Sequence, residues 1–119
     1  MGYYTYYSVS VINADKVNHE RIAEAAASLE YFACMQVAPE ELEKRENPFE
    51  YIEEEGSCKW YDYAVDMRAL SLKYPEMIFH IHGEGEENGD LWDHYFHNGK
   101  DERCNAEIVY PPAPAWAQV

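Results

Sequence analysis

Residues 76–100, EMIFHIHGEGEENGDLWDHYFHNGK, constrain the fold more than any other part of the sequence. Met77, Phe79 and Ile81 alternate with other side chains, and this period of two is typical of a strand with one face in the core. Asn98-Gly99 is the dipeptide that most favours a two-residue hairpin turn. The segment therefore predicts successive antiparallel strands joined by tight turns.

The strands of this meander can be bounded from the same pattern. One strand starts at Met77, and the polar run Glu87–Asp90 predicts the turn that follows it. The next strand is predicted at Leu91–His97. The last is predicted at Cys104–Tyr110, ahead of a Pro-Pro pair that cannot continue a ladder.

The first part of the chain predicts one strand and one helix. Tyr3–Ile12 alternates and is rich in β-branched and aromatic residues, which favours a strand. Asn18 is a suitable N-cap residue for a helix, which we expect to end near Ala33 or Met35 because the helical spacing of apolar residues stops there.

The middle of the chain predicts two more helices with a strand between them. Pro39 suits a first helical position and is predicted to begin a short helix that ends at Lys44 or Arg45. Ser57–Tyr61 predicts a strand, and Asp62 is positioned to cap a helix that Pro75 ends. The buried face of that helix is predicted to consist of Met67, Leu70, Ser71 and Tyr74.

The element order β-α-(α)-β-α-β-β-β predicts an α+β fold. We expect a ferredoxin-like sandwich whose mainly antiparallel, five-stranded sheet carries its helices on one face. At 119 residues the chain is expected to contain one such domain, residues 1–110. Residues 38–55 read as an acidic insertion, and residues 111–119 as a Pro/Ala-rich tail.

The charge of the chain restricts its partners. Asp and Glu number 23 against 9 Lys and Arg, and the formal net charge is -14. This charge opposes direct contact with nucleic acid or anionic membranes and favours a basic protein. The cysteines Cys34, Cys58 and Cys104 form no C-x-x-C pair, and no stretch reaches transmembrane length, so we expect a cytoplasmic protein with reduced thiols.

Residues 59–100 resemble the ferredoxin-like domain of YubB-type proteins of plasmids, phages and prophages. The resemblance is carried by Trp60, Ser71, Tyr74, Pro75, Phe79, Gly83, Gly85, Glu86, Trp92, Tyr95, Gly99 and Lys100. It implies an origin in a mobile element and brings no catalytic residues with it. At the level of class, the chain is similar to small acidic anti-CRISPR and anti-restriction proteins, which implies carboxylates that occupy sites made for phosphates.

The function predicted from charge and resemblance is inhibition of a host defence effector in a bacterial cell. The partner is expected to be a CRISPR effector or other nuclease complex with a basic groove. No catalysis and no cofactor are predicted, and the oligomeric state is left open. The predicted partner-binding residues are Glu40, Glu41, Glu43, Glu53, Glu54, Glu55, Glu84, Glu86, Glu87, Asp90, Trp92 and Tyr95.

Two alternatives remain open at this stage. His80 and His82 share one face of a strand, and His94 lies on the neighbouring strand, so the three histidines are candidate ligands of zinc in a small metal-binding domain or enzyme. The other alternative is a phage structural or assembly module without inhibitory function.

Overall fold

The computed structural model describes residues 4–29, 39–50, 52, 57–58 and 60–118, which form an α+β fold. Its strands are β1 (Thr5–Val11), β2 (Ser57–Cys58), β3 (Phe79–Gly85), β4 (Leu91–His97) and β5 (Lys100–Asn105). Its α-helices are α1 (His19–Ser28), α2 (Pro39–Glu43) and α3 (Tyr63–Lys73).

Four strands of six or seven residues form an antiparallel sheet in the order β1-β3-β4-β5. Tyr7 pairs with Gly83, and Gly83 pairs in turn with Trp92. At the other side of β1, the two-residue β2 pairs with Thr5 and Tyr6. The observed strand is therefore shorter than the predicted strand Ser57–Tyr61. Trp60 lies outside the strand and is buried in the core, with 0% of its surface exposed.

The core lies on one face of this sheet. Alternate residues of the central strands, among them Val9, Phe79, Ile81 and Phe96, are buried there. The helices supply the opposite side of the core, with buried residues Ile22, Ala25, Ala26, Leu42, Met67 and Leu70. The helices thus cover one face, as the apolar patterns predict.

Helix α1 begins as predicted but ends early. The Asn18 side chain accepts a hydrogen bond of 2.8 Å from the backbone N–H of Glu20, which confirms the N-cap. Leu29 has an extended conformation (φ -64°, ψ 112°) and is buried. Helix α1 therefore ends at Ser28, before the predicted end, and Ala33 and Met35 lie outside the described residues.

Helix α3 presents the predicted face to the core. Met67, Leu70, Ser71 and Tyr74 are all buried. Asp62 occupies the N-cap position, although its side chain makes no capping hydrogen bond.

Strand β5 corrects the prediction of a strand at Cys104–Tyr110. Asn98 (φ 47°) and Gly99 (φ 81°) form the predicted two-residue turn, so Lys100 pairs with His97 at once. The ladder then runs out at the start of β4, since the Ala106 N–H bonds the carbonyl of Leu91 (2.9 Å), the first residue of β4.

Candidate interaction surface

Helices α1 and α2 enclose an acidic groove of about 470 Å³. Leu42, which is fully buried, anchors α2 to the core. The ring of His19 also bonds the Glu43 carbonyl through Nε2 at 2.8 Å. The groove is lined by Asn18, Glu20, Arg21, Glu24, Pro39, Glu40 and Glu43.

Four carboxylates share this groove, which we call the α1–α2 groove. Glu40 and Glu43 are predicted partner-binding residues, whereas Glu20 and Glu24 come from a helix that showed no acidic run in the sequence. The signal that could have revealed them is their spacing of four, which places both on one side of α1.

Arg21 is the cation among the described residues that line the groove, and its charge is already matched. Its guanidinium contacts Glu24 at 3.1 Å and Glu76 at 2.7 Å, and it lies 4.4 Å from the centre of the Tyr74 ring. The hydrogen bond from Arg21 lowers the pKa of Glu76. The groove therefore retains a net negative charge.

The remaining predicted acids fall into separate places. Glu41 lies outside the groove and pairs with Lys44 at 3.3 Å. Glu84 and Glu86 border a shallow pocket of about 390 Å³ with Tyr4 and Tyr6, where the Tyr4 N–H donates to Glu86 Oε1 at 2.7 Å. The predicted residues Glu87 and Asp90 lie in the turn after β3, and Glu53, Glu54 and Glu55 lie outside the described residues.

The two acidic sets lie at opposite ends of β1. Glu84 pairs with Tyr6 near the start of the strand, whereas Arg21 of the groove contacts Glu76, whose carbonyl bonds Asn13 just beyond its end. Seven strand residues span about 20 Å. The acidic residues that line these two pockets therefore form two patches rather than one.

Trp92 and Tyr95 differ in accessibility. Trp92 is only 4% exposed, stacks on Tyr63 at 4.8 Å and is covered by the Arg103 guanidinium at 4.5 Å. The structure therefore places this predicted partner-binding residue in the core and not on the accessible surface. Tyr95 lies on the uncovered sheet face, partly exposed, with its ring stacked on His80 at 4.9 Å.

The uncovered sheet face holds a histidine–carboxylate cluster. Oδ1 of Asp93 lies 2.9 Å from His80 Nε2 and 3.0 Å from His82 Nδ1. Glu84 Oε1 lies 3.3 Å from the other ring nitrogen of His82. Only a protonated imidazole can donate from both nitrogens, so the bond to Asp93, aided by Glu84, raises the pKa of His82. The same histidines lower the pKa of Asp93.

His94 is buried on the other face of the sheet and takes part in a chain of hydrogen bonds that runs to the surface. Its Nδ1 is 2.9 Å from the Tyr63 hydroxyl, and its Nε2 is 2.7 Å from Asp101 Oδ2. Arg103 donates to the Tyr63 oxygen at 3.1 Å, and Arg68 contacts Asp101 at 3.3 Å. If the His94 ring carries its hydrogen on Nε2, it donates to Asp101, and its Nδ1 accepts from the Tyr63 hydroxyl, so each of these groups has a hydrogen-bond partner.

The centre of this chain of hydrogen bonds is buried, whereas Asp101 and the two arginines reach the surface. His94 and Tyr63 are only 4% and 8% exposed. Burial raises the pKa of Tyr63, and the hydrogen bond from His94 lowers the pKa of Asp101. The sequence signal was the place of His94 between Trp92 and Phe96 in a buried alternation.

The predicted zinc ligands do not come together. His80 and His82 point to the uncovered face, whereas His94 pairs with Ile81 and points into the core. In the described part of the chain, no group of three or more His, Cys, Asp or Glu side chains is arranged to hold a metal ion. The three-histidine zinc site is therefore wrong.

Comparisons with protein-family models, with curated proteins and with solved structures found no match to this chain. Among the helices that the structure describes, none has the length and apolar character needed to cross a bilayer.

Proposed function

We propose that this chain is an acidic, protein-binding inhibitor from a phage or other mobile element. In this proposal it occupies the basic nucleic-acid-binding groove of a host defence effector, most specifically a CRISPR effector, in the bacterial cytoplasm. The observation that carries the proposal is the α1–α2 groove, where Glu20, Glu24, Glu40 and Glu43 line one concave surface.

The chemistry of such a groove suits Lys and Arg side chains. Carboxylates accept charge-assisted hydrogen bonds from ammonium and guanidinium groups, as phosphate oxygens do. A net charge of -14 adds long-range attraction to a basic surface and accelerates association. The same charge repels nucleic acid. We therefore propose that the carboxylates of this protein take the place of nucleic-acid phosphates and that the protein does not bind nucleic acid.

A second contact is proposed at the pocket formed by Tyr4, Tyr6, Glu84 and Glu86. Tyrosine rings attract cations through their faces and are common in binding hot spots. The two acidic patches lie near opposite ends of β1, whose length of about 20 Å corresponds to about six nucleotide steps along one strand. A partner groove built for a nucleic acid backbone offers cations over such a distance.

We also propose that the α+β fold of this chain is ferredoxin-like. β2 and β3 both run antiparallel to β1 and flank it, so they are parallel to each other, and α3 connects them. A strand inserted between two parallel strands of a βαβ unit is the central feature of ferredoxin-like folds. This arrangement supports a ferredoxin-like, five-stranded fold; kinship with YubB-type proteins is proposed on the residue pattern of positions 59–100 alone.

The proposal can be tested by capture and charge removal. The full chain would be used to capture partners from cells that hold intact CRISPR and restriction systems, and the captured complex would be purified. Substituting Gln at Glu20, Glu24, Glu40 and Glu43 removes four charges from the groove. A matched control substitutes Gln at Glu46, Glu50, Glu102 and Glu107, which are exposed outside it.

The groove variant is expected to weaken binding by between about fourfold and about a thousandfold, since the four exposed ion pairs contribute about 0.2–1 kcal/mol each. The control variant is expected to retain most of the affinity because it keeps the groove. The proposal fails if no nucleic-acid-binding protein is captured, or if the two variants weaken binding equally, which would leave only a net-charge effect.

A further inference from the structure

Residues 106–118 form an irregular segment with one short 3-10 turn at Ala115–Ala117, which we call the apolar arm. Every residue of the arm is exposed, and its large side chains are among the most exposed of the described residues, with Tyr110 at 83% and Trp116 at 88%. Ile108 and Val109 are also exposed, and Glu107 is the arm's charged residue. An apolar segment of this size on a protein of net charge -14 indicates a contact surface.

A second apolar surface lies on α3. Val65, Ala69 and Leu72 follow each other at spacings of four and three, so they lie on one side of the helix. Val65 is 57% and Leu72 is 62% exposed, although the opposite side of α3 is buried in the core. We call these three residues the α3 stripe. Leu29 adjoins it across a small cleft lined also by Val65 and Ala69.

Within one chain the two surfaces do not cover each other. The arm leaves the sheet where Ala106 bonds Leu91, and Ile108 then lies next to Gly89. The far end of the α3 stripe, Leu72, lies beside Gly99 at the opposite end of β4 and β5. Within the part of the chain that the structure describes, both surfaces remain exposed.

We propose that the cover is a second copy of this chain, with the apolar arm of each copy packed on the α3 stripe of the other. Such an exchange is reciprocal and gives a two-fold symmetric dimer. Tyr110 and Trp116 of two arms make four aromatic residues, which bury about 150–250 Å² each. With Ile108 and Val109 added, the buried area approaches the roughly 1,200–2,000 Å² of stable interfaces.

Charge opposes this association only weakly at the contact itself, and the acidic groove is left unchanged. Two bodies of like charge repel each other, but the arm reaches its partner through a segment with one charged residue. The α1–α2 groove lies on other elements and stays open. The dimer is therefore expected to strengthen with added salt, which screens repulsion, whereas binding of a basic partner weakens.

The test is the mass of the full chain in solution, measured by light scattering and sedimentation at low and high salt. A dimer has twice the 13.9 kDa mass of the chain. Two variants remove the contact from either side: Val65→Glu with Leu72→Glu, and Tyr110→Ser with Trp116→Ser. Ile12→Glu is the matched control, since Ile12 is also exposed but lies on neither surface.

We expect the wild-type chain and the Ile12→Glu variant to dimerise, and each double variant to raise the dissociation constant at least about tenfold. Circular dichroism spectra and melting curves verify that the exposed substitutions leave the fold intact. An equimolar mixture of the two double variants keeps one intact arm and one intact stripe, so it is expected to regain part of the dimer.

Three results would overturn the inference. One is a wild-type chain that stays monomeric at high concentration in high salt, which would leave the arm to a different occupant. Another is a dimer that both double variants preserve. The third is a mixture that gains nothing over its components. None of these outcomes depends on capture of a basic partner, so this inference and the proposed function succeed or fail separately.

Discussion

The indole ring of Trp92 fills the space above Gly83, its partner on the neighbouring strand. A β-carbon at Gly83 would lie only 2.1 Å from Cζ2 of that ring and 2.2 Å from Cε2. The ring is held from its other sides by Tyr63 and by the Arg103 guanidinium. The absent side chain of Gly83 is thus what allows β3 and helix α3 to enclose Trp92.

Gly83→Ala is therefore expected to destabilise the fold. Both the strand and the ring are fixed, so the new methyl group overpacks the core at a cost of about 1–3 kcal/mol. The free energy of unfolding in urea measures the loss. Glu84→Ala, one residue further on the uncovered face, is expected to change it by only about 0.5 kcal/mol. Equal effects of the two substitutions would contradict this role of Gly83.

Tyr63→Phe tests the chain of hydrogen bonds. It removes the hydroxyl that lies between His94 Nδ1 and Arg103 but keeps the ring against Trp92. A buried polar group left without its partner costs about 1–3 kcal/mol, which denaturant unfolding measures. Tyr61→Phe is the control, because Tyr61 is exposed. A loss no greater than that of the control would show that water replaces the hydroxyl.

Asp101→Asn is expected to reduce the acid sensitivity of the fold. The hydrogen bond from His94 lowers the pKa of Asp101 in the folded state. The stabilisation that this bond gives the fold is therefore fully present above the pKa that Asp101 has in the unfolded chain. That contribution is lost as the pH falls through the lower, folded pKa. Unfolding at a series of acid pH values is expected to show a smaller fall in stability for Asp101→Asn than for wild type. The exposed Asp15→Asn variant is expected to follow wild type.

Asp93→Asn is expected to lower the pKa of His82, which NMR titration of the imidazole measures. Asp93 is the main cause of the raised pKa of His82, and Glu84 adds to it. A raised folded pKa means that the pair stabilises the fold below the pKa of the unfolded chain. This stability is lost as the pH rises through the folded pKa. Asp62→Asn, outside the cluster, is the control, and an unchanged titration in Asp93→Asn would disprove the pairing.

Local sequence determined much of the sheet. The predicted bounds Leu91–His97 are those of β4, and Asn98-Gly99 forms the predicted turn with both residues at positive φ. The buried face of α3 was also predicted correctly. These features depend on neighbouring residues alone, because alternation, helical spacing and left-handed backbone conformations are local properties.

Features that depend on distant partners were predicted less well. The position of β5 follows from the register that the turn imposes, and the apolar residues of Ile108–Tyr110 suggested a later strand. Trp92 has the composition of a binding residue, but Gly83 on another strand makes room for it in the core. Whether His94 or Asp93 faces His80 and His82 likewise depends on the phase of β4 against β3.

The sequence by itself determined the sign and size of the charge, because charge is a sum over residues. It also determined the α+β class and the positions of most strands, because these follow from patterns among neighbouring residues. Only the tertiary structure decided which charges share a surface. Burial of Leu42 sets α2 against α1, so Glu40 and Glu43 meet Glu20 and Glu24 across the groove. The antiparallel pairing of β1 with β3 places Glu84 and Glu86 near the start of β1, at the opposite end of that strand from the groove. Contacts between segments far apart in the chain arise from packing of the core, which local patterns do not specify.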